Sequence, residues 1–224
     1  MKTIGIVAAM PSEVADIRKE LGEAKVEKQG KIEFYVWEKD GVKIVNVLSG
    51  IAKVNAAVAT AMLISRYEPD FVVNCGVAGG MNSEIKVLDI VISNTVMPHD
   101  LDLHFLKDYP PYCCEFKSDG ELIEKVDSIC KEMGINTFIG PIVSGEVFLE
   151  DPVRKAEITE KFSPYAVDME TAAVGHCCYL YGVPFVSVRC ISDNADDEAG
   201  MSFDEFVPKA AKRVADVVLT LANA

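Results

Sequence analysis

Short apolar runs, often rich in β-branched residues, alternate along the chain with segments whose apolar positions recur at the period of a helix. Several of the runs are apolar on both faces, which is typical of strands inside a sheet that helices cover. The runs predict seven strands, at residues 3–9, 32–38, 42–49, 71–76, 87–97, 137–145 and 185–192. The periodic segments predict helices at residues 11–22, 52–66, 118–133, 151–161, 170–181 and 202–222.

This alternation predicts one domain over residues 1–224 with an α/β fold. We expect a three-layer α/β/α sandwich with a mixed, largely parallel central sheet. The chain has no low-complexity linker and no clear internal repeat, and its 50% hydrophobic content is sufficient for one sizeable core. Ligands of such folds bind at the carboxyl ends of the strands, so polar residues at those ends are the candidates for function.

Charge, hydrophobic patterning and cysteine content indicate which partners and which cellular compartment to expect. The chain has 22 Lys and Arg against 35 Asp and Glu, a net charge of −13, and no basic run, which argues against nucleic acid and anionic membranes. No apolar stretch approaches the roughly 18 residues of a membrane span. The opening "MKTIGIVAAM" passes directly into the charged "PSEVADIRKE", which favours a first strand over a signal peptide. Seven cysteines without zinc-site spacing are typical of reduced thiols in a cytoplasmic protein.

Three acidic residues fall where predicted strands end or predicted helices begin. Glu13 follows the first strand, Glu170 lies in "DMET" at a helix start, and Asp193 ends the run "VSVRCISD". Each has an ordinary structural explanation alone, as a solvated acid, a residue that stabilises the helix dipole, or a turn residue. Together they predict one crevice that carries several carboxylates. The acids that follow are expected to form a solvated turn: Asp196, Asp197 and Glu198.

Two further motifs favour structural interpretations. "GVAGG" at residues 76–80 has neither the lysine of a P-loop nor the spacing of a dinucleotide-binding loop, so a tight turn is expected. "HDLDLH" at residues 99–104 would place Asp100, Asp102 and His104 on one face of an extended segment. A single short cluster without a second group of ligands is a poor metal site. We expect a polar loop or interface segment there, and neither a metal nor another cofactor.

Seven stretches, in the same order along nearly the whole chain, give the sequence a specific resemblance. They are "AAMPSE", "SGIAKVNAA", "NCGVAGG", "VLDIVIS", "VSGEVFL", "VDMETAAV" and "RCISDNAD" with "SFDEF". In these stretches the chain resembles the methylthioadenosine/S-adenosylhomocysteine nucleosidases of the nucleoside phosphorylase superfamily. The resemblance implies a nucleoside phosphorylase-like fold. It also implies cleavage, by water, of the N-glycosidic bond of 5′-thio-substituted adenosines, with release of adenine.

Such a reaction needs an acid for the departing purine and a base for the attacking water, because the ribose becomes oxocarbenium-like. The resemblance implies that Asp193 protonates N7 of adenine, which requires a raised pKa, and that Glu13 activates the water. It implies that Met10, Met169, Glu170 and Arg189 bind the ribose and the water. It also implies that Val77, Phe148, Leu149 and Phe203 bind adenine, and that Leu103 contacts the 5′ substituent.

The chain departs from the family pattern at two places. Val77 stands where many members carry the hydroxyl residue of "GSAGG" or "GTAGG", so another donor must orient Asp193, or specificity and rate differ. The segment from Leu103 to Tyr112 is shorter than the family's usual 5′-substituent loop. The sequence therefore leaves several alternatives for the 5′ substituent of the substrate: a methylthio, homocysteinyl, deoxy or larger futalosine-type group. Because the family's 5′ pocket borrows residues from a second subunit, we also expect a homodimer with residues 99–112 at or near the contact.

Two other functions stay open on the sequence alone. A phosphorolytic nucleoside phosphorylase needs cationic donors for phosphate, and of five arginines only Arg189 lies at a strand end in the expected site. The Gly-Asp-Pro phosphate turn after the first strand is replaced by "AAMPSE". A non-catalytic nucleoside-binding or storage protein need not retain Glu13, Glu170 and Asp193 together. The sequence therefore favours hydrolysis over both.

Overall fold

The computed structural model describes residues 1–196 and 199–223. Its strands are β1 (Lys2–Ala8), β2 (Lys25–Gln29), β3 (Ile32–Lys39), β4 (Val42–Leu48), β5 (Phe71–Gly80), β6 (Ile90–Pro98), β7 (Phe116–Lys117), β8 (Thr137–Ser144), β9 (Ala166–Asp168) and β10 (Phe185–Asp193). Its helices are α1 (Pro11–Leu21), α2 (Lys53–Tyr67), α3 (His104–Asp108), α4 (Gly120–Glu132), α5 (Pro152–Phe162), α6 (Thr171–Tyr181) and α7 (Ala199–Ala222). Among these helices, none is both long and apolar enough to cross a membrane.

The strands form one mixed sheet in the order β10-β6-β8-β9-β5-β1-β4-β3-β2, with β7 beside β6. Parallel pairing joins β1 to both β4 and β5, and β5 to β10. Strand β10 also pairs antiparallel with β6, so this half of the sheet curls back on itself. The predicted α/β fold with a mixed central sheet is confirmed.

Helices cover both faces of the sheet, as the strands that are apolar on both sides predict. In β1, Ile4 and Ile6 pack into a core with α1, α4 and α7, whereas Val7, the residue after Ile6, packs into a second core with α2 and α6. This division follows from the alternation of side chains along a strand. Between the two cores, the carboxyl ends of β1, β5 and β10 lie side by side at the same end of the sheet.

The "GVAGG" segment is not the predicted tight turn. Strand β5 continues through it to Gly80, and Gly79 pairs with both β9 and β10. A Cβ atom at Gly79 would lie 2.9 Å from Asp193 Oδ1, so a glycine lets β10 approach. The glycines therefore extend the strand instead of ending it.

Other differences concern short or exposed elements. The predictions missed β2, β7 and β9; β2 is an edge strand of largely exposed, mostly polar residues ("KVEKQ") without an apolar alternation. The extended segment expected at 99–104 instead bends and enters α3 at His104. Helix α7 begins at Ala199, three residues before the predicted start.

Candidate active site

A pocket with about 600 Å³ of empty volume lies at the carboxyl ends of β1, β5 and β10. Nine of the eleven residues assigned from the sequence line it: Met10, Glu13, Val77, Phe148, Leu149, Met169, Glu170, Asp193 and Phe203. Arg189 lies behind the pocket wall, and Leu103 lies elsewhere.

Glu13 is held at the start of α1, where Pro11 is the first helical residue. Its Oε2 atom accepts hydrogen bonds from the backbone N–H groups of Ala9 and Met10, both at 2.9 Å, and its Oε1 atom accepts from Val77 N–H at 3.0 Å. Burial raises the pKa of Glu13, while Arg189 and these N–H groups oppose the rise. The result is a fixed, buried carboxyl group with increased basicity.

Arg189 is 1% exposed and has a protein partner for each of its three nitrogens. Its Nη2 atom lies 2.8 Å from both Asp168 Oδ2 and Asn74 Oδ1, Nε donates to Thr171 Oγ1 at 3.0 Å, and Nη1 donates to the Val77 carbonyl at 3.3 Å. Burial alone would lower the pKa of Arg189, but three neighbouring carboxylates raise it. The guanidinium therefore stays charged inside the protein.

Glu170 caps the start of α6 and forms part of the pocket wall. Its Oε1 atom accepts from Ala52 N–H at 3.0 Å, and its Oε2 atom lies 3.7 Å from Arg189 Nη2. Burial and the adjacent Asp168 raise the pKa of Glu170 to about 7, against the lowering influence of Arg189. Glu170 can thus accept or donate a hydrogen bond near neutral pH.

Asp193 ends β10 and is 2% exposed. Its Oδ1 atom accepts from Ala195 N–H and its Oδ2 atom from the Ser192 hydroxyl, both at 2.8 Å. Burial raises the pKa of Asp193, and these two hydrogen bonds oppose the rise only in part. The Ser192 hydroxyl and the Ala195 N–H orient the carboxyl group. They take the place of the side-chain hydroxyl that Val77 does not have, and they come from β10 itself and from the turn that follows it.

The expected solvated turn after Asp193 is described only in part. Asp196 is half-buried, and its charge contributes to the raised pKa of Asp193. Asp197 and Glu198 lie outside the described residues.

An aromatic pair forms another wall of the pocket. The rings of Phe148 and Phe203 meet edge to face, with centroids 5.5 Å apart and planes at 80°. Between β8 and α5, the backbone of residues 147–149 makes no hydrogen bond to any described part of the chain. Leu149 therefore presents unpaired backbone groups beside an apolar surface, an arrangement suited to a flat heterocycle.

Leu103 does not line this pocket. It precedes α3 and packs against a cluster that includes Met81, Met97 and Leu149, of which Leu149 also lines the pocket. Leu103 is therefore not part of the pocket wall within one chain, and its assignment to the 5′ pocket stays a prediction.

Sequence reasoning missed the polar residues that hold the site residues in place. Asp168 accepts hydrogen bonds from Ser144 and Thr171 and pairs with Arg189, while Asn74 and Ser192 contact Arg189 and Asp193 respectively. A usable signal existed for Asn74, because it is one polar residue in the apolar run "FVVNC". Such a residue in a buried strand requires a partner.

The "HDLDLH" residues do not converge on a common point. Asp100 bonds to Lys53 and to Glu146 N–H, whereas Asp102 pairs with His104 at 2.9 Å. Over residues 1–196 and 199–223, no three His, Cys, Asp or Glu side chains are grouped as metal ligands.

Comparison with known proteins gives consistent matches over the whole chain. The family model described as the phosphorylase superfamily matches residues 3–223. Curated 5′-methylthioadenosine/S-adenosylhomocysteine nucleosidases from Bacillus subtilis and Actinobacillus succinogenes are 39% and 42% identical to this chain, over 96% of each sequence.

Solved structures agree with these matches. The 5′-methylthioadenosine/S-adenosylhomocysteine nucleosidase of Neisseria meningitidis, in complex with methylthio-immucillin-A, has a TM-score of 0.91 at 37% identity over 97% of both chains. A futalosine hydrolase mutant of Helicobacter pylori has a TM-score of 0.94 at 28% identity, over 100% of this chain and 99% of its own.

The raised pKa of Glu170 makes stability depend on pH. A carboxyl group that binds its proton more tightly in the folded state stabilises fully below its unfolded-state pKa, about 4.3, and loses that contribution as pH rises through its folded-state pKa. With a folded-state pKa of about 7, the wild type should lose free energy of unfolding relative to Glu170→Gln between about pH 4.5 and 7.5. Urea unfolding at a series of pH values measures this difference. The exposed Glu157→Gln is the control; a Glu170→Gln difference that is constant with pH would contradict the assignment.

Proposed function

The chain belongs to the phosphorylase superfamily, and from this premise we propose that it is a purine nucleosidase. It hydrolyses the N-glycosidic bond of 5′-thio-substituted adenosines such as 5′-methylthioadenosine and S-adenosylhomocysteine, and it releases adenine. One observation carries this proposal: two buried carboxyl groups in different surroundings, Glu13 and Asp193, line one pocket. The curated nucleosidases that are about 40% identical over 96% of the chain support the same reaction.

Asp193 is the acid for the leaving purine. Its raised pKa favours the protonated form that can deliver a proton, and none of the described residues forms an ion pair with it. The Ser192 hydroxyl and Ala195 N–H fix the orientation of the carboxyl group toward the pocket. Proton delivery to N7 removes the negative charge that would otherwise build up on the departing adenine.

Glu13 is the base for the attacking water. Burial increases its basicity, and the three backbone N–H groups leave Oε1 with one unoccupied acceptor position. Arg189 Nη1 is 3.8 Å from Oε1, so the guanidinium stabilises the carboxylate form without a direct hydrogen bond. A water bound at Oε1 would be oriented and deprotonated as the ribose becomes cationic.

The remaining pocket residues bind the substrate. Glu170 and the backbone at Met169 bind the ribose hydroxyls, and Met10 lines the ribose side. Phe148 and Phe203 flank adenine, and stacking on an aromatic ring contributes about 1–3 kcal/mol per base. Leu149 binds the base edge through the backbone groups that lack protein partners, and Val77 packs against the base.

Hydrolysis fits the pocket better than phosphorolysis. None of the described residues that line the pocket is Lys or Arg, and Arg189 already uses all three of its nitrogens on protein partners. A phosphate dianion would therefore face buried carboxyl groups without a cationic donor. Water has no such requirement.

We further propose a homodimer formed by the apolar face around α2, α3 and α6. Exposed apolar side chains there include Val54, Leu101, Phe105, Tyr109 and Leu180, and three of them, Val54, Leu101 and Leu180, line a groove. A second copy of the chain, which presents the same face, would cover this surface and bring its residues 99–112, including Leu103, to the 5′ end of the pocket. The exposed Ile51 and Val147 at that end would then be buried.

All seven cysteines are free thiols, and four of them are fully buried. Unpaired thiols persist in reducing compartments. We therefore propose a cytoplasmic location.

The activity is tested by incubation with 5′-methylthioadenosine and S-adenosylhomocysteine, with and without phosphate and with a chelator. We expect adenine and a free 5-thio-substituted ribose under every condition, because water is the nucleophile and side chains supply the acid and base. Chromatography of the products measures both. A ribose 1-phosphate product that requires phosphate would identify a phosphorylase, loss of activity with the chelator would identify a metal enzyme, and nucleoside binding without release would identify a non-catalytic protein.

Light scattering tests the dimer. We expect twice the 24.4 kDa mass of one chain. Leu180→Asp should shift the protein toward the monomer and lower its activity, because a charge cannot be buried in an apolar contact. Val26→Asp, at an exposed apolar position on β2, is the matched control. A monomer that retains full activity would contradict the proposal.

A further inference from the structure

Asp100, the first acid of "HDLDLH", has no part in the proposed chemistry, yet it holds the base of the loop that faces adenine. We name residues 145–149, between β8 and α5, the adenine loop. Asp100 Oδ2 accepts from Glu146 N–H at 2.9 Å, and Oδ1 accepts from Lys53 Nζ. The Lys53 and Asp100 side chains are only 21% and 15% exposed, so solvent screens this pair less than a surface ion pair.

The hydrogen bond to Asp100 is the last one before the residues that face the base. Gly145 N–H donates to the Asp168 carbonyl at 3.0 Å, and Glu146 N–H donates to Asp100. Beyond Glu146, the backbone of residues 147–149 has no hydrogen-bond partner in the described ranges. The position of Phe148 and Leu149 therefore depends on how firmly Glu146 is held.

Two contacts of neighbouring residues support the same segment. His99 N–H donates to the Ser144 carbonyl at 3.0 Å, and the His99 ring lies against Gly145, where a Cβ atom would be 2.2 Å from Nε2. Lys53 is also the first residue of α2, directly after Ala52, whose N–H binds Glu170. One ion pair thus connects the loop on the adenine side with the helix start on the ribose side.

We infer that Asp100, fixed by Lys53, is a positioning residue that holds the adenine loop in its binding conformation. The inference rests on the proposed function, because it assigns adenine to this loop. Without Asp100 the loop would have to be ordered when the base binds, and that cost reduces affinity. The loop contacts the base in the ground state and the transition state alike, so its loss should raise KM and leave kcat nearly unchanged.

Asp100→Ala and Asp102→Ala form a matched pair, because both remove an acid from the same short segment. Calorimetric titration with adenine measures affinity for the base alone, and steady-state kinetics with 5′-methylthioadenosine measure KM and kcat. For Asp100→Ala we expect adenine affinity to fall about 10-fold, KM to rise by a similar factor, and kcat to stay within about twofold. Asp102→Ala, which loses its contact with exposed His104, should keep the wild-type affinity for adenine. Light scattering on both variants checks that the oligomeric state is the same.

Two further variants separate positioning from general destabilisation. Asp100→Asn keeps an acceptor for Glu146 N–H and should lose clearly less affinity than Asp100→Ala. Lys53→Met should lower adenine affinity little further when it is combined with Asp100→Ala, because both changes remove the same ion pair. Unchanged adenine affinity in Asp100→Ala, or a fall in kcat at constant KM, would overturn the inference while leaving the proposed function intact. A wild type that neither binds nor releases adenine would instead overturn the proposed function.

Discussion

The acidic residues at the pocket, Glu13, Asp168 and Glu170, depend on the buried positive charge of Arg189. Moving an ion out of water costs several kcal/mol, and partners at every nitrogen of the guanidinium offset that cost. Without it, three carboxyl groups, those of Glu13, Asp168 and Glu170, would be buried with no counter-charge. Breaking a buried ion pair costs about 3–5 kcal/mol. Arg189 therefore stabilises the fold and favours the carboxylate form of Glu13, against the effect of burial.

This arrangement explains the backbone around Arg189 and suits the different roles proposed for Glu13 and Asp193. A Cβ atom at Gly76 would lie 2.2 Å from Glu13 Oε1 and 2.5 Å from Arg189 Nη1, so β5 must pass the pair without a side chain. The next residue, Val77, binds Glu13 through its N–H and Arg189 through its carbonyl. Asp193 lies outside this network, with only neutral hydrogen-bond donors. Glu13 thus lies 3.8 Å from the buried Arg189, whereas Asp193 forms no ion pair with any described residue, and Lys155 lowers its pKa less than burial raises it. This difference suits the proposed roles of base and acid.

The sequence predicts those parts of the structure that depend on local pattern. Buried strands are apolar on both faces, and Glu13, Glu170 and Asp193 fall where strands end or helices begin, so the sheet and these three acids could be predicted from pattern. The other pocket residues were assigned by the family resemblance. The remainder depends on distances between remote segments. Ser192 as the donor to Asp193, the continuation of β5 through "GVAGG", and the contact of Asp100 with Glu146 have no local signature. Leu103 was placed by resemblance alone, and a single chain does not bring it to the pocket.

A change of leaving group tests proton donation by Asp193 most directly. Asp193→Asn keeps the shape of the side chain but cannot deliver a proton, so adenine release from 5′-methylthioadenosine should fall by about 10²–10⁴-fold. A nitrophenyl riboside, if the pocket accepts it, has a leaving group that needs no proton. On that substrate Asp193→Asn should recover much of the lost rate, whereas Glu13→Gln, which disables water activation, should stay impaired on both. Equal impairment of Asp193→Asn on the two substrates would contradict the account and would make Asp193 a structural residue.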